Sequence, residues 1–187
     1  MILRALNIRK TFTQGLSEPL EILKGVSLEI EKPETVAIMG RSGCGKSTFI
    51  SILAGLESPT EGEVEILEKN LAHLNAGELN RFRARHIGIV FQQFHLLDHL
   101  TALENVRLPL DLNRVPSPDQ LALEMLDRVG LSARRNHFPA QLSRGECQRI
   151  AIARVLVMRP ETLLADEPTG SLDVKTGRDV IELIFRL

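Results

Sequence analysis

A glycine-rich segment at residues 40–48 has the residue types and spacing of a phosphate-binding loop. It reads Gly40, Arg41, Ser42, Gly43, Cys44, Gly45, Lys46, Ser47 and Thr48. Glycines let backbone N–H groups turn inward around a polyphosphate, and a helix that starts near Lys46 points its positive end at the same place. Lys46 adds a full charge and the Ser47 hydroxyl suits Mg²⁺, so the segment predicts a site for a magnesium nucleotide. A glycine-rich turn that only feeds a helix is the alternative.

Two adjacent acidic residues follow an apolar run later in the chain. Residues 162–165 are predicted to form a buried strand, and Asp166 and Glu167 stand at its carboxyl end, where ligands lie in open α/β sheets. Asp166 suits Mg²⁺, directly or through a water, and Glu167 suits polarisation of an attacking water. An acidic helix cap at the end of a strand is the alternative. With the upstream loop, the pair favours hydrolysis of a bound triphosphate.

Local patterns predict the elements that position these residues. Short apolar or alternating runs predict four strands, at residues 35–39, 62–67, 86–91 and 162–165. Apolar spacing typical of a helix runs from Thr48 to Leu56, and another helix is predicted after Ser143. Strands that alternate with helices imply an α/β fold with a largely parallel sheet covered on both faces.

The middle of the chain has helical patterns instead. Residues 101–104 and 117–120 each fit a capping box, and the second has Pro118 at the first helical position. Gly130 suits the position just past the end of a helix. The region between Gln92 and Ser143 is therefore predicted to be a helical side lobe.

Composition excludes several classes of protein. The 187 residues are 43% hydrophobic and 25% charged, which is typical of one globular domain, and the net charge of −1 gives no general attraction to nucleic acid. The basic run at residues 81–85 favours a solvated helix face over a nucleic-acid patch. No secretory segment and no run near ~20 apolar residues occurs, so a cytosolic location is expected. Cys44 and Cys147 lie far apart, which predicts no zinc site.

Five segments in this order resemble the ABC ATPase family over essentially the whole chain. They are residues 40–48, Gln92, Leu142-Ser143-Arg144-Gly145-Glu146, Leu163-Leu164-Ala165-Asp166-Glu167 and Ser171-Leu172-Asp173. The resemblance implies a P-loop NTPase core with a mainly parallel sheet, an N-terminal antiparallel β portion and a helical subdomain inserted between Gln92 and Ser143. It predicts one ATPase domain over residues 1–187, with the catalytic core at 1–91 and 144–187 and the helical subdomain at 92–143.

The same resemblance implies roles for residues that act on ATP and Mg²⁺. Lys46, Gln92 and Glu167 would be catalytic, and Gln92 would sense Mg²⁺ and the γ-phosphate. The metal would be held by Ser47, Gln92 and Asp166. By itself Gln92 is only a polar residue after a strand.

Further implied roles involve the adenine and a second copy of the chain. Phe12 falls where the family stacks an aromatic ring on adenine, with a core phenylalanine as the alternative. Ser143 and Gly145 would contact the γ-phosphate of ATP held by a second copy, in a head-to-tail dimer that sandwiches two nucleotides, and Glu146 would belong to the same nucleotide-binding set. Asp173 would join the two catalytic sites. Without the family, Ser143 and Glu146 are a capping box, and both interpretations can hold at once.

Within the family, the sequence resembles most the ATPases of lipoprotein-release and macrolide-export systems. The supporting segments are residues 91–97, 103–110 and 166–173. This implies an ATPase coupled to a multi-span membrane permease, at the inner face of the bacterial cytoplasmic membrane, that exports or extracts lipophilic cargo such as lipoproteins or macrolides. A non-transport ABC ATPase and a nucleotide-dependent interaction module with little hydrolysis are the alternatives. Four apolar side chains would form part of the surface that docks a helix of the partner, although some of them are expected to pack the helical lobe instead. They are Phe94, Leu96, Leu97 and Leu100.

The sequence also departs from the family pattern. The family has a γ-phosphate-contacting histidine beyond the helix that follows Asp173, whereas all five histidines here precede residue 142. The family's last strand is also absent, so we expect a truncated form in which Ile181, Ile184 and Phe185 are poorly covered, with turnover slowed about a hundredfold. Arg144 stands where the family usually has glycine.

Overall fold

The structure is a computed structural model that describes residues 1–13 and 18–186. The strands are β1 (Leu3–Phe12), β2 (Leu20–Ile30), β3 (Glu61–Ile66), β4 (Lys69–Asn70), β5 (Ile87–Val90) and β6 (Thr162–Ala165). The helices are α1 (Lys46–Leu53), α2 (Ala76–His86), α3 (Ala102–Leu112), α4 (Pro118–Arg128), α5 (Arg144–Leu156) and α6 (Val174–Arg186). Short 3₁₀ turns lie at Leu71–His73, Ser132–Arg134 and Pro139–Gln141. Among the described residues, none of the helices has both the length and the apolar character needed to cross a bilayer.

The chain divides into two compact units, Met1–Arg83 and Ala84–Leu187. The subdivision predicted from the sequence, with a helical subdomain at 92–143 inside one domain, stays a prediction.

The first unit is built on an antiparallel sheet with strand order β2-β1-β3-β4. Leu3 of β1 lies opposite Ile30 of β2 and Ile66 of β3, and both Leu3 and Ile66 are fully buried. Because side chains alternate along a strand, one face of this sheet supplies core residues and the other carries exposed charges. The predicted N-terminal antiparallel portion and the strand at 62–67 are confirmed.

Helix α1 follows the glycine-rich segment, as predicted, and begins two residues earlier than the apolar pattern indicated. Its buried side chains are Phe49, Ile50, Ile52 and Leu53. The strand predicted at residues 35–39 is wrong, because this run belongs to neither sheet and all of its residues are exposed. Met39 is 90% exposed. An apolar run becomes a strand only where neighbours pair with its backbone and cover its side chains, and β-propensity alone supplies neither.

The second unit contains the parallel pair β5 and β6, both predicted from the sequence. Ile87 lies opposite Thr162 and Val90 opposite Ala165, so the two strands end at the same level. Val90 packs in one buried cluster with Ile152 of α5 and Val180 of α6. On α6, Ile184 packs partly against this cluster, whereas Ile181 and Phe185 are exposed.

Helices α3, α4 and α5 share a second core, to which α6 contributes one residue. Its buried residues are Ala102, Val106, Leu110, Ala122, Met125, Leu126, Val129, Leu131, Ile150, Ala153, Val157 and Leu183. The capping box at Thr101 is confirmed, since the Glu104 N–H donates to Thr101 Oγ1 at 3.3 Å and the Thr101 N–H donates to Glu104 Oε2 at 2.8 Å. The helices between Gln92 and Ser143 therefore agree with the predicted fold class.

The sequence predicted the last residues of α4 correctly but not the cap at its start. The capping box at residues 117–120 is wrong: Ser117 has φ 53° and its side chain makes no cap bond. In a capping box the Gln120 side chain would accept a hydrogen bond from the Ser117 N–H. It donates instead to Glu124 at 2.9 Å. Gly130 ends the helix as predicted, because at φ 72° its N–H donates to Asp127 O at 2.9 Å.

Candidate functional site

The glycine-rich segment lies against β2 where it enters α1. Gly43 and Gly45 have φ of 78° and 94°, in the left-handed region that glycine enters without strain. A Cβ on Gly45 would lie 2.7 Å from Ile22 Cγ2 and 3.0 Å from Leu23 Cδ2. A side chain at position 45 would therefore push the segment away from the sheet.

Positive charge is concentrated at the start of α1. The first N–H groups of a helix have no intrahelical acceptor, and the first turn of α1 contains no acidic residue. Lys46 Nζ donates to Gly40 O at 3.0 Å and to Arg41 O at 3.2 Å, which places the ammonium over the glycine-rich segment. The Ser47 side chain is exposed. Backbone donors, an ammonium and a hydroxyl within one turn fit a magnesium-bound polyphosphate.

Cys44 is exposed within this segment, yet its sulfur is in close contact with the backbone. A Cβ on Gly40 would lie 2.6 Å from Cys44 Sγ. The thiol thus covers Gly40, and a side chain at position 40 would displace it. Arg41 and Ser42 are exposed.

Phe12 lies at the end of β1 and outside the core, 41% exposed. Lys10 Nζ is 4.9 Å from the centroid of its ring, within the range of a cation–π interaction. The alternative of a core phenylalanine is therefore wrong. An exposed ring suits stacking, and the role in adenine binding stays a prediction.

The ends of β5 and β6 bring three predicted site residues together in the second unit. The Asp166 N–H donates to Val90 O at 2.9 Å, so the acidic pair begins directly beside the end of β5. Gln92 follows β5, and a Cβ on Gly170 would lie 2.9 Å from Gln92 Nε2. Gln92 is thus packed against the segment that begins with Asp166 and Glu167.

Glu167 begins a tight turn. The Gly170 N–H donates to Glu167 O at 2.9 Å, and Glu167 itself has φ 46°, which is uncommon for a residue other than glycine. Inside the turn, Pro168 O accepts a hydrogen bond of 2.6 Å from Gln148 Nε2 of α5. Gln148 is fully buried, and the sequence analysis missed it. The available signal was a polar residue among the buried positions of α5.

The capping box at the start of α5 is confirmed. Glu146 Oε2 accepts from the Ser143 N–H at 2.8 Å and from Ser143 Oγ at 2.9 Å, while Glu146 Oε1 lies 2.9 Å from Arg134 Nε. The Ser143 N–H is the main cause that lowers the pKa of Glu146. A Cβ on Gly145 would lie 2.6 Å from Thr176 Cγ2, so the first turns of α5 and α6 touch there. The γ-phosphate role of these residues stays a prediction.

Asp173 caps α6. Its Oδ1 accepts from the N–H groups of Lys175 and Thr176, both at 3.1 Å. The hydrogen bond from the Thr176 side chain is the main cause that lowers the pKa of Asp173. A Cβ on Gly177 would lie 3.2 Å from Thr169 Cβ, so α6 also contacts the turn that follows Glu167.

The predicted site residues are thus divided between the two units. Phe12 and residues 40–48 belong to Met1–Arg83, while Gln92, Ser143, Gly145, Glu146, Asp166, Glu167 and Asp173 belong to Ala84–Leu187. Within the second unit, the contacts above join the residues after β5 and β6 to the starts of α5 and α6. Arg144, the departure from the family pattern, is exposed in the first turn of α5.

The segment proposed as part of a partner dock is only partly exposed. Leu96 packs against the helical core, whereas Leu97 is 37% exposed. Asn105 is fully buried, and its side chain bonds the Leu97 N–H at 2.9 Å and the carbonyls of Leu97, Leu100 and Thr101 at 3.0–3.1 Å. These bonds hold the backbone at the exposed residue Leu97 in place.

Comparison with known proteins identifies the family. The model for the ABC transporter family matches residues 23–170. The chain is 47% identical to the lipoprotein-releasing system ATP-binding protein LolD of Bdellovibrio bacteriovorus over 99% of this chain and 84% of that protein. It is 45% identical to the uncharacterized ABC transporter ATP-binding protein YbbA of Escherichia coli K12 over 97% and 80% of the two chains.

The fold is similar to a solved structure as well. A dimeric structure of a post-hydrolysis state of the ATP-binding cassette MJ0796, bound to ADP and Pi, matches with a TM-score of 0.90 and 44% identity over 100% of this chain and 82% of that one. Because both the sequence and the fold match along nearly the whole chain, it belongs to the ABC transporter family as an ATP-binding subunit.

Proposed function

We propose that this subunit binds Mg-ATP through residues 40–48 and hydrolyses it. The observation that carries the proposal is the start of α1, where Lys46 lies over the glycine-rich segment with its Nζ 3.0 Å from Gly40 O and no acidic residue stands in the first turn. Three phosphates carry several negative charges, and this arrangement offers backbone donors and a cation at the start of a helix whose first turn has no acidic residue.

Individual roles follow from the chemistry of the side chains. Ser47, Gln92 and Asp166 are proposed ligands of Mg²⁺, directly or through water, because hydroxyl, amide and carboxylate oxygens suit this ion. When bound, the metal neutralises phosphate charge. Glu167 accepts a proton from the attacking water and orients it, while Lys46 stabilises the charge on the phosphates. Phe12 is the proposed stacking partner of the adenine.

We further propose that the chain works as a head-to-tail pair with a second copy. Ser143 and Gly145 at the start of α5 would contact the γ-phosphate bound by the other copy, Glu146 would hold Ser143 in place through the capping box, and Asp173 would join the two sites. The dimeric form of the similar ATP-binding cassette supports this. The start of α5 adds N–H groups suited to an anion.

The proposed partner is a multi-span permease at the inner face of the cytoplasmic membrane. Relatives at 45–47% identity over most of their length have names of a lipoprotein-releasing system, which supports lipophilic cargo such as lipoproteins. Macrolides are the other cargo class that the resemblance described in the sequence analysis implies. Co-purification with a multi-span membrane protein tests the partner.

Replacement of Lys46 tests the nucleotide site. We expect Lys46→Ala to weaken binding of a fluorescent Mg-ATP analogue about 10- to 100-fold, because a hydrogen bond to a charged group contributes about 1.5–3 kcal/mol. Equilibrium fluorescence titration measures this. Lys24→Ala, at an exposed lysine of β2, is the matched control and should leave the affinity unchanged. Equal affinity of the Lys46 variant and the wild type would refute the site.

A further inference from the structure

Gln148 is a polar side chain in the interior of the second unit. It lies on α5 with no exposed surface, next to the buried Cys147 and one turn from the buried Ala151 and Ile152. Nothing in the proposed chemistry of ATP hydrolysis uses it. A fully buried amide therefore needs a physical explanation.

The hydrogen bonds of Gln148 are incomplete. Its Nε2 donates to Pro168 O at 2.6 Å, and this bond determines which way the amide faces, because the reverse orientation would set two oxygens against each other. Its Oε1 has no hydrogen-bond partner among residues 1–13 and 18–186. A buried acceptor without a partner destabilises the fold, and an apolar side chain of similar length would avoid that cost. The stability of the fold therefore does not explain why an amide side chain occupies this position.

The carbonyl that Gln148 binds belongs to the turn at residues 167–170. Glu167, the first residue of the turn, has φ 46°, and such a conformation persists in a non-glycine residue only where the surroundings enforce it. The rest of the turn is held by close packing, since Gly170 lies against Gln92 and Thr169 against Gly177. The hydrogen bond from Gln148 to Pro168 O connects α5 to the residue directly after Glu167.

We propose that Gln148 is a positioning residue that holds the turn at residues 167–170 so that the Glu167 carboxylate faces the attacking water. This rests on the proposed function, in which Glu167 orients that water. Gln148 also links the turn to α5, whose first residues are the proposed contacts for the γ-phosphate of the second copy. Its loss should therefore affect the chemical step and leave the binding of ATP to residues 40–48 intact.

Gln148→Met separates positioning from stability. Methionine has a similar length and no donor, so we expect the melting temperature to be equal or higher. The kcat for ATP should fall about 10- to 100-fold, as for other small misplacements of catalytic groups, with the Kd for the Mg-ATP analogue unchanged. Gln120→Met, the same substitution at an exposed position of α4, should leave both the kcat and the Kd unchanged.

Amide hydrogen exchange provides a readout that does not need turnover. The Gly170 N–H donates to Glu167 O at 2.9 Å and the Leu172 N–H to Thr169 O at 3.0 Å. In Gln148→Met, both amides should exchange about tenfold faster or more, while amides in the middle of α5 keep their protection. If the wild-type chain releases no phosphate, the proposal of hydrolysis fails, and exchange at these two amides still decides whether Gln148 holds the turn.

Three results would overturn the role of Gln148. The first is unchanged exchange at Gly170 and Leu172 in Gln148→Met. The second is a wild-type kcat in that variant. The third is an unfolded or strongly destabilised variant, because the amide would then be needed for folding rather than for positioning.

Discussion

Glu167 occupies a backbone conformation that few glutamates adopt, and the residues around it explain how it stays there. Its φ of 46° is stabilised by a turn closed at Gly170 and bonded from Gln148. Strain of this kind often marks positions where a side chain must be aimed. The role of this carboxylate in hydrolysis stays a prediction.

Substitution of Glu167 tests that role. Glu167→Gln keeps the shape and removes the proton acceptor, so we expect steady-state phosphate release to fall about 100-fold or more while Mg-ATP binding persists. A coupled phosphate assay and the binding titration measure the two effects. Glu182→Gln, at an exposed glutamate of α6, serves as the control. Full activity in the Glu167 variant would remove the residue from the mechanism.

At the residue scale, sequence reasoning found side chains that lie in recognisable local patterns. The glycine-rich segment and the acidic pair are of this kind, and their positions next to α1 and β6 were predicted. Gln148 and Thr176 were missed, because each acts on a residue 20 or more positions away or on another helix. No local spacing reveals such a contact. The individual roles in ATP binding stay predictions.

At the scale of elements, the first turns of α5 and α6 contact each other at Gly145, where no side chain keeps them apart. A Cβ on Gly145 would lie 2.6 Å from Thr176 Cγ2, much closer than two carbon atoms can pack. The Thr176 side chain also bonds Asp173, so a rotation of this side chain away from Gly145 would disturb the cap of α6. We therefore expect the two helix starts to be energetically coupled.

A double-mutant cycle tests this coupling. We expect Gly145→Ala to lower the free energy of unfolding by about 1–3 kcal/mol, because it overpacks the contact. Thr176→Ser removes the methyl group and keeps the hydroxyl, so the double variant should regain most of the loss. Urea unfolding of the four proteins gives the coupling free energy. Additive effects would show that the two residues do not meet.

Predictions for elements succeeded where the decisive interactions are local. The Thr101 and Ser143 capping boxes close within one helical turn and were confirmed. The cap at Ser117 was wrong because Gln120 bonds Glu124 instead. The strand at residues 35–39 was wrong because pairing in a sheet depends on distant segments, which a local apolar run does not report.

At the scale of the whole molecule, several carboxylates have lowered pKa values that link stability to pH. The pKa of Glu104 is lowered mainly by the Thr101 N–H, that of Glu146 by the Ser143 N–H and that of Asp173 by the Thr176 side chain. A carboxyl whose pKa is lower in the folded state stabilises the fold above its ordinary value, which is 4.5 for the two glutamates and 3.8 for Asp173. This contribution is lost as the pH falls through the lower, folded-state pKa.

The free energy of unfolding should therefore decrease steadily once the pH falls below the ordinary value of 4.5. Glu146→Gln should be less stable than the wild type by about 0.5–1 kcal/mol at neutral pH, because it loses its charge and the pair with Arg134. The difference should shrink as acid protonates Glu146 in the wild type. Urea titrations at a series of pH values measure it. A difference that is constant down to strongly acidic pH would contradict the linkage.

The fold class was predicted as a whole, although its parts were not all found from local patterns. The antiparallel β portion came from the family resemblance, since no short-range signal in the sequence analysis marked β1 and β2. The parallel pair β5 and β6 came from apolar runs and was confirmed. The division into two compact units depends on the density of long-range contacts, which spacing along the chain does not reveal.

The bonds of Asn105 have a consequence for any protein that binds near Leu97. The buried Asn105 amide accepts from the Leu97 N–H, and its Nδ2 lies 3.0–3.1 Å from the carbonyl oxygens of Leu97, Leu100 and Thr101, so this stretch adopts its shape through the fold of its own chain. Association then requires little loss of conformational entropy on this side of the interface. Preorganisation of this kind raises the affinity for any partner whose surface is complementary to it.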